Sequence, residues 1–214
     1  MVVNQTKTKT AVFNTATSKD FYPRIANSQE IIYENTEEFK LLGVDFVSHS
    51  RDGVRWDKYI QQCIKQAYSK MWILKRLAEL GVSTQDLLMS YLSRVRVQLE
   101  QNVPLWHFSI SSQLRKKLEN VQKACLFIIL GQRATSDYHR NLAMLNLEPL
   151  VDRRLTLCKN FGRKTIKHPV HSQMFTFNRV KHTRAGRKVI VPKANTARYN
   201  KSAIPSLARL INSM

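Results

Sequence analysis

The chain has 214 residues, 43% of them hydrophobic, and carries 35 Lys and Arg against 15 Asp and Glu, a formal charge of +20. That is enough apolar material to bury a core and too much for a disordered tail. No stretch approaches the roughly 18 continuous apolar residues of a membrane span, and no signal-peptide block is present at the start.

The positive charge repels itself on compaction and points to a polyanionic partner. Residues 151–214 hold 15 of the Lys and Arg and a single acid, Asp152. Cys63, Cys125 and Cys158 are odd in number and widely spaced, which suits a reducing intracellular compartment. Nucleus or cytoplasm is expected, with the nucleus favoured.

In chain order, "TAVFN" from Thr10, "SQEIIYE" and "EFKLLGVDF" read as short strands, with the acidic "ENTEE" as a connection. Phe39, Leu41, Leu42, Val44 and Phe46 mostly alternate, and Gly43 marks a bulge or a close backbone approach. A small antiparallel sheet is the expected product. From Trp56 the period changes to three and four, giving a long amphipathic helix through Leu77 that Gly81 caps. "STQD" offers a capping box, Ser83 with Asp86, for a second helix that Pro104 stops.

The third helix, "SSQLRKKLENVQKACLFIILGQ", is capped by Ser111 or Ser112, buries Leu114, Leu118, Val121, Cys125 and Ile128/Ile129, and closes at Gly131. A short helix near "SDYHRNLAMLN" and a longer one from about Leu150 to Lys167 follow. Beyond them lies a basic stretch with one candidate strand, "KVIVP", and a terminal helix, "AIPSLARLIN". The fold class is therefore mainly α, with a small N-terminal antiparallel β segment, a helical bundle and a basic C-terminal extension.

Catalytic constellations are sparse. Asp45, Asp52 and Asp57 lie close in sequence, and with His49 the first two would be the carboxylates of a metal-dependent nuclease. The plainer reading, turn residues and a helix N-terminal acid, prevails. Cys158, His168 and His171 match no zinc spacing, so no metal and no cofactor is assigned. No glycine loop cradles a phosphate and no nucleophile elbow surrounds a serine.

The basic patches carry more. Arg115, Lys116 and Lys117 open the third helix, Arg153 and Arg154 open the fifth, and Arg179, Lys181, Arg184, Arg187, Lys188, Lys193, Arg198 and Lys201 follow. Cations at this density neutralise phosphates and release counterions, and Phe177 and Tyr199 lie among them for stacking. Tyr68, Trp72, Tyr91 and Trp106, at helical spacing among leucines, read as core.

"NQTKTKTAVF", at Asn4, Lys7, Thr8 and Lys9, resembles the Leu-Asn-x-x-Lys-Thr-Lys palm segment of non-LTR retrotransposon reverse transcriptases. "FKLLGVDF" is similar to the primer-grip strand pair at Leu42, Gly43 and Val44. Trp56 and Ile60 fit Trp-x-x-His-Ile, with Tyr59 in place of the histidine. Leu99, Glu100, Pro104 and Trp106 fit Leu-Glu-Tyr-x-x-Pro-x-Trp, with Gln101 for the tyrosine. Leu118, Glu119, Val121, Gln122 and Gly131, then Tyr138, then Arg153-Arg154 continue the order, and the ending resembles jockey-like elements.

The resemblance implies a residual palm segment with a primer-grip-like hairpin at 1–50, a thumb-like bundle at 51–167 and a basic extension at 168–214. It implies an RNA or RNA–DNA hybrid partner, Lys7 and Lys9 near nucleotide phosphates, and no membrane. The family's Phe/Tyr-Ala-Asp-Asp quartet is absent from these 214 residues, so Mg²⁺ belongs to a full-length parent enzyme and this chain alone is expected to be inactive. Its sheet edge is expected to pair with the missing polymerase part or another chain. The competing expectation is a non-enzymatic basic helical interaction protein, binding RNA or serving nuclear import.

Overall fold

The computed structural model describes residues 9–11, 34–49, 53–177 and 189–213. It is mainly helical, with a small three-stranded antiparallel sheet near the N-terminus. Most of the expected strands "TAVFN" and "SQEIIYE" fall outside the described residues. The chain divides into two compact units, Met1–Tyr59 and Ile60–Met214.

In the first unit, β1 (Lys9–Thr10) pairs with β2 (Glu34–Asn35) in parallel, not antiparallel as the alternation suggests. Strands β3 (Glu38–Leu41), β4 (Val44–His49) and β5 (Gly53–Arg55) form the antiparallel sheet in that order. The single strand expected over "EFKLLGVDF" is thus a hairpin. Its two-residue loop is Leu42-Gly43, with φ of +49° and +81°. Positive φ at both central residues is the turn whose twist matches the flanking strands, so Gly43 serves a turn and not a bulge.

Register places Phe39 opposite Phe46, and their rings stack at 5.1 Å. Trp56 meets Phe46 edge-on at 5.6 Å and Tyr59 at 6.3 Å, which makes one aromatic row of the sheet and the helix start. Lys58 bonds Glu38 across the same unit.

Helix α1 (Asp57–Glu79) starts with an acid and ends in a Schellman cap. The Gly81 amide, at φ +77°, bonds the Ala78 carbonyl, and the Val82 amide bonds that of Leu77. In the second unit Ser83 caps α2 (Thr84–Ser90): its Oγ accepts from the Asp86 amide and donates to Asp86 Oδ2 at 2.6 Å. The helix continues through a π-helical stretch, Tyr91–Arg96, into α3 (Val97–Glu100). The wide turn keeps Tyr91, Val95 and Leu99, each four residues apart, all buried.

Pro104 does not merely stop that helix. It sits in the first turn of α4 (Val103–Trp106), where a missing N–H costs nothing, after Asn102 turns the chain at φ +55°.

Helix α5 (Ser112–Leu130) is capped by Ser111 Oγ and buries Leu114, Leu118, Val121, Cys125 and Ile129. Asp137 caps α6 (Tyr138–Met144). Helix α7 (Leu150–Lys167) packs against α4, α5 and α9, so it is the axis of the unit. Phe177 and Val189 form an isolated antiparallel bridge in place of the "KVIVP" strand.

Helix α8 (Ala197–Asn200) leads to α9 (Ala203–Asn212), whose Asn212 amide clamps the Val189 backbone at 2.9 and 2.7 Å. Helix α9 crosses α7 at Gly162, where a Cβ would meet Ile211 Cγ1 at 3.1 Å. The three cysteines are buried thiols, and burial pushes Cys125 and Cys158 up to about 12. No helix among the described residues is long and apolar enough to cross a membrane.

Candidate nucleic-acid interface

Residues of the separate motifs meet in a few polar clusters inside the second unit. Glu100 Oε1 lies 3.3 Å from Arg96 Nε and 3.2 Å from Arg153 Nε, which ties α3 to α7. Tyr91 Oη donates to Gln122 Oε1 at 2.5 Å. Gln122 Nε2 donates to Tyr138 Oη at 2.9 Å and to the Glu148 carbonyl at 3.0 Å. Tyr138 in turn donates to Glu119, whose carboxylate also takes the Leu150 amide at the start of α7. Trp106, buried, donates Nε1 to the Gln101 carbonyl at 2.9 Å.

Each donor here is held as a donor. Burial raises the Tyr91 phenol well above its ordinary value, and it does the same for Tyr138, with the Glu119 bond adding to it. Buried polar groups that are fully paired specify one arrangement of the helices that carry them.

Of the cations singled out in the sequence, Arg115, Lys116 and Lys117 are exposed on the first turns of α5, and Lys201 is exposed beyond α8. Lys9 is exposed in β1. Arg198 lies within α8. Lys7, Arg179, Lys181, Arg184, Arg187 and Lys188 lie outside the described residues. Tyr199 is exposed, whereas Phe177 is half-buried at the bridge.

The hairpin tip presents Leu42, 93% exposed, beside Gly43, while Val44 is buried. Asp45 is buried in β4 with its Oδ2 unpartnered among the described residues, and Asp52 lies outside them. Among the described residues no three His, Cys, Asp or Glu side chains gather to hold a metal ion.

Two readings need correction. Arg153 is half-buried and ion-paired, and Arg154 is fully buried, so neither stands on an exposed basic face. The reason is the stripe of α7: Leu150, Arg154, Cys158, Gly162 and Thr165 share the inward face. Burial lowers the Arg154 pKa, opposed by Glu119 and Glu100 and reinforced by Arg115.

The second correction concerns the aromatics. Tyr91 and Trp106 are core, but Tyr68 is 44% and Trp72 61% exposed. The inward face of α1 is Ile60, Cys63, Ala67 and Leu74, which leaves Tyr68 and Trp72 on the other side. Lys65, Lys75 and Arg76 are exposed beside them, and the Arg76 guanidinium sits 5.4 Å from the Trp72 ring centroid. Positions 65, 68, 72, 75 and 76 fall on one helical face. Aromatic faces interleaved with cations suit stacked bases and flanking phosphates. The lysines and arginine at this spacing are the signal that the sequence reading passed over.

Comparison with known protein families, curated proteins and solved structures finds no match for this chain.

Proposed function

We propose that this chain is the palm-edge, thumb and tail part of a non-LTR retrotransposon reverse transcriptase, acting as a nucleic-acid clamp without chemistry of its own. One observation supports this above the others: residues of separate motifs pair across helices in two networks, Glu100 with Arg153 between α3 and α7, and Glu119, Gln122 and Tyr138 between α5 and α6. Helices tied by such networks form one structural unit, in keeping with motifs that belong together. The exposed cations of α5 and the aromatic-basic face of α1 supply the contact surface.

Binding on this reading is chiefly to phosphates of an RNA or RNA–DNA hybrid, which position a strand without reading its sequence. The hairpin at Leu42, Gly43 and Val44 would lie against the primer strand in the complete enzyme. A nuclear or cytoplasmic setting, reducing in either case, suits the buried thiols.

The test is titration of a recessed RNA–DNA hybrid at rising salt. A clamp making several phosphate contacts loses about a thousandfold in affinity between roughly 50 and 200 mM salt, and primer extension with Mg²⁺ yields no product. Salt-independent binding, or extension by the purified chain, would rule the proposal out.

A further inference from the structure

A cleft of about 450 Å³ opens between α5, α6 and α7. Arg115, Lys116 and Lys123 reach it from α5, and Arg154 belongs to its wall from α7. Against these cations it has two carboxylates among the described residues, Glu119 and Asp152. Glu119 Oε1 is already engaged by Tyr138 and by the Leu150 amide. The cleft therefore has a surplus of positive charge.

Arg154 is its most informative member. The side chain is fully buried, and none of Nε, Nη1 or Nη2 has a hydrogen-bond partner among the described residues. A guanidinium has five N–H donors, and burying them without acceptors carries a desolvation penalty that the nearby Glu119 and Glu100 charges offset only in part. The Trp106 ring, 5.9 Å from Cζ, gives a cation–π contact and no strong acceptor. Replacing such a cation by an apolar side chain of similar volume generally stabilises a core. A buried arginine kept unpaired beside a basic cleft therefore points to an anion.

We propose that this cleft binds the phosphate of a single nucleotide, with Arg154 as the anchoring cation and Arg115 and Lys116 at its rim. The size suits a ligand of that class, and Tyr138, Pro149 and Val151 provide an apolar wall for the base. This deepens the nucleic-acid reading and rests on it only for the source of the phosphate, a bound strand or a free nucleotide.

The experiment is thermal unfolding of the full chain with adenosine monophosphate, inorganic phosphate or adenosine at matched ionic strength. The monophosphate raises Tm most, inorganic phosphate less, and adenosine not at all. Arg154→Met keeps or gains stability without ligand and loses about tenfold or more in monophosphate affinity. Lys116→Gln, an exposed change that leaves the fold intact, loses severalfold and decides the matter should Arg154→Met not fold.

Preference for a 5′-phosphorylated oligonucleotide over its 5′-hydroxyl twin assigns the phosphate to a strand end; equal binding of the two assigns it to a free nucleotide. Equal stabilisation by adenosine and its monophosphate, or unaltered monophosphate affinity in Lys116→Gln, overturns the site. Hybrid binding that persists beside that result leaves the clamp reading standing, and its loss from the wild-type chain with monophosphate binding intact does the opposite.

Discussion

Arg153 Nε lies 3.2 Å from Glu100 Oε1, so an acid that ends α3 holds a base that begins α7, 53 residues later. The same carboxylate takes Arg96, one helical turn before it. Glu100 is thus the shared counter-ion of two arginines, with the buried Arg154 next along the chain.

Glu100→Gln removes the charge and leaves both arginines without their partner. Breaking a fully buried pair costs about 3–5 kcal/mol. Here Arg153 is about a third exposed, with side-chain accessibility of 31% against 13% for Glu100. The expected loss is therefore about 2 kcal/mol, read as a lowered urea midpoint with unchanged slope. A midpoint within experimental error of wild type would show the pair to be ornamental.

His107 gives the fold a pH dependence. Burial lowers its pKa from 6.5 to about 4, and the nearby Arg154 and Arg115 charges add to the effect. The folded chain keeps the ring neutral where the unfolded chain takes a proton at its ordinary value. Stability from this group is thus complete above pH 6.5, falls as pH drops from 6.5 toward 4, and is constant below that. After discounting for solvent screening the contribution is about 2 kcal/mol. His107→Gln should lose less stability than wild type across that window, measured by urea unfolding at several pH values. Parallel curves would contradict the assignment.

Trp72 separates surface binding from packing. Trp72→Ala should alter stability by about 0.5 kcal/mol or less, since the ring is largely exposed. A lost base stack costs about 1–3 kcal/mol, so single-strand affinity should drop by roughly tenfold. Trp106→Ala is the contrast, a buried ring whose removal costs about 3–5 kcal/mol of folding energy. Unchanged affinity in Trp72→Ala would remove α1 from the interface.

The helices were legible because their ends have chemical signatures. Ser83, Ser111 and Gly81 announce caps in the sequence and supply them in the structure. The hairpin was legible from the resemblance but not from alternation, because Leu42, unlike Asn or Gly, is a rare occupant of a left-handed turn position. Trp72 was misplaced by a single position of helical phase: the apolar count around Met71 and Trp72 does not say which faces inward. Arg154 was misread for the opposite reason, since a charged residue on an apolar stripe is invisible until the stripe is traced through Leu150, Cys158 and Gly162. The cleft was not legible at all, because it joins α5, α6 and α7 across three separate segments.

The contact at Gly162 has a bearing on biogenesis. Helix α7 leaves the ribosome well before α9 does, and its glycine-lined flank has no cover until Leu207 and Ile211 emerge and seat there. The nascent chain therefore exposes this apolar flank for the interval between synthesis of the two helices, a surface open to chaperone binding.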